Sequence, residues 1–142
     1  MKNFYLSKEK INEAKLFEIL KTNFLPDLEK NPKKFDRTDC TSQSARLQIE
    51  LKCRRTHYDE LLIEKKKFDS LQEIAASKDF TACYINSTPQ GIYGWNLSGI
   101  EIQWQEQLMP ATTDFENTKM IDKIIGFLPI SKAIYLSGAV DF

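Results

Sequence analysis

The chain is poor in residues that several common kinds of protein depend on. Its 142 residues include three cysteines, Cys40, Cys53 and Cys83, and a single histidine, His57. The cysteines are odd in number and form no CxxC pair, which argues against a disulfide framework and against a zinc site. They read instead as small apolar residues in strands. One histidine leaves no nucleophile–histidine pair to defend. No apolar run approaches the roughly 20 residues that a membrane span needs. The opening Met1-Lys2-Asn3-Phe4-Tyr5 passes into charged sequence without a secretory apolar region. A cytoplasmic location is the resulting expectation. Repeats, low-complexity tracts and a dividing linker are also absent, so residues 1–142 are expected to form one domain.

An excess of charge of either sign is missing too. Twenty Lys and Arg balance twenty Asp and Glu. Taken alone, this weighs against nucleic-acid binding. The distribution is less even. Residues 30–67 hold eleven basic and six acidic residues, a local charge of +5 that the rest of the chain offsets. A basic region around a few carboxylates suits a metal site working on a polyanion, although charge runs also commonly just face water.

The remaining pattern suggests an α/β protein. Residues 8–21 read as an amphipathic helix capped by Ser7, with Ile11, Ala14, Phe17 and Leu20 as its stripe. Residues 35–41 and 46–54 read as two strands of a hairpin across the turn-like Thr41-Ser42-Gln43-Ser44. In the second strand Leu47, Ile49, Leu51 and Cys53 alternate with Arg46, Gln48, Glu50, Lys52 and Arg54. Period-two alternation sends the first set to a core face and the second to the opposite face, so Glu50 and Lys52 point the same way. Residues 58–77 read as a helix with Leu61, Phe68, Leu71 and Ala75 near one face. Residues 80–86 and 92–97 form a second hairpin across Pro89-Gln90-Gly91, and 123–128 and 132–136 add strands. The order predicts a mixed central β-sheet flanked by helices.

Phosphodiester cleavage gives this arrangement a chemical meaning. Such chemistry uses a metal ion that neutralises the phosphate and activates water. Mg²⁺ takes hard oxygen ligands and keeps several waters. Acids on two neighbouring strands can share the ion. A lysine two residues along the same face can orient the water or stabilise developing negative charge. Glu50-Leu51-Lys52 supplies one acid and the lysine, and Asp36 or Asp39 supplies the other.

The run Phe35-Asp36-Arg37-Thr38-Asp39-Cys40, followed by Gln48-Ile49-Glu50-Leu51-Lys52-Cys53-Arg54, resembles the acid-then-ExK hairpin of the PD-(D/E)XK nucleases. Tyr58 through Lys67 resembles the tyrosine and helix lysine that follow the core in small phage or mobile-element members. The resemblance covers residues 35–67 well and 80–97 loosely, and no proline precedes either aspartate. It implies a restriction endonuclease-like core and a Mg²⁺-dependent endodeoxyribonuclease, with Mn²⁺ able to substitute. Asp36, Asp39 and Glu50 become metal ligands in this reading, and Lys52 joins them as a catalytic residue. Strand alternation sets Asp36 and Asp39 on opposite faces unless a bulge intervenes, so both stay open as the first acid. Glu13 or Glu18 of the first helix could extend the metal site, as helix glutamates do in relatives. Arg54, Lys67 and Tyr58 are the expected nucleic-acid contacts. The implied partner is DNA, of branched or unusual form. A homodimer, or service within a larger nucleic-acid-processing machine, is a secondary expectation. The alternative function is that of a catalytically inactive nuclease-fold protein that binds DNA or a protein partner.

Overall fold

The computed structural model describes residues 11–31, 39–111 and 119–136. Helix α1 (Glu13–Asn23) starts at Asn12, whose Oδ1 accepts the Lys15 N–H at 2.8 Å. The cap is therefore Asn12; Ser7 lies outside the described residues, and Ile11 precedes the helix. The buried stripe is Leu16, Phe17, Ile19 and Leu20, and exposed Ala14 is not part of it.

Strands β1 (Glu29–Lys30), β2 (Asp39–Ser42) and β3 (Leu47–Cys53) follow. Of the expected strand 35–41, residues 35–38 lie outside the described ones, and Asp36 is among them. The expected helix 58–77 divides into two elements. Residues Glu60–Glu64 form strand β4, and helix α2 begins only at Lys65 and ends at Ser77. The reason is legible in the burial pattern. Leu61 and Ile63 alternate with less buried neighbours and pair with another strand, so their spacing of two decides against a helix. Of the expected stripe, Leu71 and Ala75 are buried on α2, Phe68 is partly buried, and Leu61 belongs to β4.

Strands β5 (Thr81–Thr88) and β6 (Gly91–Asn96) form the second hairpin as anticipated. They are followed by β7 (Gln105–Pro110), β8 (Met120–Pro129), a 3-10 turn at Ile130–Lys132 and the short β9 (Ile134–Tyr135). The central sheet has the order β1-β2-β3-β5-β6-β9. Among the described strands only β3 and β5 run parallel, and β4 and α2 make the connection between them. A separate three-stranded sheet has the order β4-β8-β7.

The central sheet is covered on both faces. On one side α1 packs its stripe on Cys40, Ile49, Leu51, Ile85 and Ile92. On the other, α2 and β4 bring Leu71, Ala75, Leu61 and Ile63 against Ala82, Tyr84, Tyr93 and Trp95. A fully buried side chain of this size stabilises by about 1.5–3 kcal/mol. β3 therefore lies between two cores. Its alternating faces are as expected, but Gln48 and Glu50 are buried as well as Ile49 and Leu51.

Candidate active site

The β2–β3 register sets Asp39 directly opposite Glu50. Directly opposed residues project from the same face of a sheet. That face is the α2 side, because the intervening Cys40, Ile49 and Leu51 belong to the α1 core. Asp39 is 7% exposed and Glu50 8%. Lys52 follows two residues along the same face and is half-buried. Lys67, in the first turn of α2, brings its Nζ to 3.6 Å from Glu50 Oε1. One neighbourhood thus holds two carboxylates on adjacent strands and two lysines, from one strand and one helix.

A further carboxylate, Glu13, stands on the α1 side of the sheet, the face opposite that of Glu50 and Lys52. Glu13 and Asp39 line a common cavity with Ala14, Phe17, Lys30, Cys40 and Leu51. Glu18 does not line it and is exposed. Among the described residues no group of three His, Cys, Asp or Glu side chains forms a ready cage for a metal. Mg²⁺ does not require one: one or two carboxylates, waters and substrate phosphate complete its shell. As a donor set, hard oxygens on two paired strands fit that ion.

The surroundings hold these residues in place. Behind Asp39 and Glu50 on the same face, Gln48 Oε1 accepts the Thr41 hydroxyl at 2.9 Å and Lys78 Nζ at 3.0 Å. These bonds tie β2, β3 and the end of α2 together beside the acids. The sequence offered one signal for Gln48, its place two residues before Glu50 on an alternating strand. Nothing local signalled Lys78. Tyr84 stands beside Glu50 across β3–β5. Burial chiefly raises its hydroxyl pKa; Arg54 opposes that, and Glu50 adds to it, so the group stays protonated.

Arg54 is occupied inside the fold. Its Nε donates to Asn86 Oδ1 at 2.6 Å, and its Nη2 donates to the Leu62 carbonyl and, at 3.3 Å, to the Tyr84 hydroxyl. Tyr58, in the connection between β3 and β4, is 63% exposed. His57 Nδ1 lies 2.8 Å from Thr88 Oγ1, at the β5–β6 turn. The cysteines are free, and burial pushes the Cys40 and Cys83 thiols up to about 12. They behave as apolar strand residues.

The covered mixed sheet and its carboxylate-bearing hairpin define a restriction endonuclease-like α/β fold, the fold of the PD-(D/E)XK nucleases. Among solved structures the chain is similar to that of Hjc, a Holliday junction resolvase from the hyperthermophilic archaeon Archaeoglobus fulgidus. The similarity covers 87% of this chain and 86% of that one, at 15% identity and a TM-score of 0.50. At that identity the likeness is one of fold. No protein-family profile matches the chain, and no curated protein matches it. No helix among the described residues is long and apolar enough to cross a membrane.

Proposed function

We propose that this protein is a Mg²⁺-dependent endodeoxyribonuclease, able to use Mn²⁺, that acts on branched or otherwise unusual DNA. The observation that carries the reading is the direct opposition of Asp39 and Glu50, with Lys52 two residues further along the same face. The fold likeness to a Holliday junction resolvase supports the choice of DNA and of a branched form. Service within a nucleic-acid-processing machine of a phage or mobile element fits the same reading.

In the proposed mechanism Asp39 and Glu50 would hold the ion, and Asp36 remains a second candidate for the first acid. When bound, the ion supplies charge neutralisation at the phosphate and a more acidic water. Glu13, which lines a cavity with Asp39, would accept a hydrogen bond from a water there. Lys52 donates to the attacking water or to the phosphoryl oxygen on which negative charge grows. Lys67, beside Glu50, orients that carboxylate and offers a second cation to the phosphate. Tyr58, Lys67 and Arg54 engage the DNA backbone around the site, and Arg54 also braces the end of β3. A homodimer belongs to the same proposal. Leu108, Met120 and Ile124 are exposed on one face of the β7–β8 ribbon together with Glu106 and Asp122, a mixed surface for a second copy.

The test is a cleavage time course with Mg²⁺ or Mn²⁺ on single-stranded, duplex and branched DNA. Glu50→Gln keeps the side chain's shape and removes the charge that holds the ion, so cleavage should be lost with the fold intact. Lys52→Ala should lose cleavage while metal binding, read by calorimetry, persists. DNA binding should survive both changes and weaken steeply with salt. Wild-type protein that binds DNA yet cuts none of these substrates, with Glu50→Gln behaving identically, would establish the inactive DNA-binding alternative.

A further inference from the structure

Three cross-strand pairs carry one row of residues across the central sheet. Lys52 lies beside Asn86, Asn86 beside Tyr93, and Tyr93 beside Tyr135. Opposed residues share a face, so the row continues the face that holds Asp39 and Glu50. It ends in aromatic rings. Tyr93 and Tyr135 have centroids 5.3 Å apart, and His57 leans on Tyr93 at 5.5 Å. The His57 ring is held by its 2.8 Å contact with Thr88 Oγ1, which also accepts the Gln90 N–H at 3.1 Å. Tyr93 is buried, whereas Tyr135, on the outermost strand, is 49% exposed. The neighbouring aromatic row is covered: Trp95 is buried, and its indole N–H donates to the Pro129 carbonyl at 2.9 Å.

We propose that Tyr135, backed by Tyr93 and His57, is a stacking shelf for an unpaired nucleobase of the DNA strand whose phosphate lies at the Asp39–Glu50 pair. This rests on the nuclease reading and narrows its substrate to DNA with unpaired bases near the cut. Every base has a π-face, so an exposed ring on an ordered aromatic backing binds bases with little sequence preference. Three strand spacings separate Lys52 from Tyr135, roughly 14 Å. At the 3.4 Å axial rise of a duplex, that is about four nucleotides from the scissile phosphate, and fewer where the strand is unstacked. The shelf is therefore close enough to take a base flanking a branch. A base paired within a duplex cannot offer its face. Exposed Arg55 and Lys132 stand two and three residues along the chain from His57 and Tyr135, cations available to the phosphates of the same strand.

The experiment measures binding by fluorescence anisotropy, without divalent metal so that nothing is cut. One ligand is a branched DNA with a few unpaired nucleotides at the branch, and the other is the same DNA with those nucleotides made abasic. Wild-type protein should bind the abasic form about tenfold more weakly, the range expected for one lost stacking contact. Tyr135→Ala should bind both forms alike, at the weaker level, and Tyr135→Phe should behave as wild type. The comparison of the two DNAs on wild-type protein does not depend on any variant folding. Equal wild-type affinity for the two DNAs would overturn the shelf and leave the nuclease reading standing. So would a Tyr135→Ala protein that still discriminates. A wild-type protein that binds neither DNA would overturn both.

Discussion

Arg54 separates two accounts of one residue, and removing it decides between them. As an exposed cation at the end of β3 it would contact DNA. In the folded chain its guanidinium joins two elements: Asn86 and Tyr84 of β5 in the central sheet, and the Leu62 carbonyl of β4 in the second sheet. Its own backbone N–H also donates to the Ser87 carbonyl at 2.8 Å, extending the β3–β5 pairing. A hydrogen bond to a charged group contributes about 1.5–3 kcal/mol net, and less when long or partly wet. Two firm bonds and one long one, on a half-buried side chain, make Arg54→Ala cost roughly 3 kcal/mol. Typical domains have about 5–15 kcal/mol in all, so the effect should be large. Urea unfolding followed by tryptophan fluorescence reads it directly, since Trp95 and Trp104 both lie on the β4–β8 side. Arg54→Lys keeps the charge without the planar fork and should recover less than half of the loss. An Arg54→Ala protein with the wild-type midpoint, and with weakened DNA binding alone, would refute the bracing role.

Other outcomes follow from the packing and the backbone. Gly126 of β8 has no room for a side chain: an added Cβ would collide with the Ile102 side chain and come within 3.1 and 3.2 Å of the Trp104 ring. Gly126→Ala should cost about 1–3 kcal/mol in the same urea assay. Asp79 follows α2 with φ 56°, while its N–H donates to Ala76 and that of Phe80 donates to Ala75, a Schellman ending that favours glycine. Asp79→Gly should stabilise by up to about 1 kcal/mol in thermal melts, because the exposed ion pair it gives up with Arg46 contributes little. Burial raises the Cys40 thiol from 9.0 to about 12, so the folded state keeps a proton that the unfolded chain loses first. Its contribution to stability is full below pH 9 and should decline from there towards pH 12, a decline that Cys40→Ala should reduce.

Much of the site was legible because strand periodicity is a local property. The alternation from Leu47 to Cys53 set Glu50 and Lys52 on one face, and the hairpin reading put an aspartate, Asp36 or Asp39, on the strand beside Glu50. The register keeps that alternation and sets Asp39 opposite Glu50, while Asp36 lies outside the described residues. What could not be read was which faces would be covered. Glu50 looked like a residue on an open face, but α2 returns over it and brings Lys67 to 3.6 Å. That contact joins residues seventeen positions apart through the β4–α2 connection, which no pattern in either segment encodes. The same limit explains β4. Leu61, Leu62 and Ile63 form an apolar triplet compatible with a helix or a strand, and pairing with β8, more than sixty residues later, decides the matter. Arg54 has a structural role that was not legible for a related reason. Cations at strand ends usually face water, and only the tertiary approach of Leu62 turned this one inward.

The burial of Asp39 and Glu50 sets stability against function. Two carboxylates directly opposite each other on paired strands repel, and little water reaches either one at 7% and 8% exposure. Lys67 and Lys52 offset part of that charge, but Lys67 is itself largely exposed, so its help is screened. A fold selected for stability alone would neutralise one acid. Asp39→Asn should therefore make the metal-free protein more stable, by up to about 1 kcal/mol for the direct repulsion. A bound divalent ion should do more for wild type: at a hundred times its dissociation constant it adds about 2.7 kcal/mol. Thermal melts in MgCl₂ or MnCl₂, matched for ionic strength with NaCl, separate the two effects. Wild type should start lower and climb with the metal, whereas Asp39→Asn should start higher and climb little. A variant that begins less stable than wild type, or a wild-type protein indifferent to both metals, would mean that the paired acids serve the fold rather than an ion.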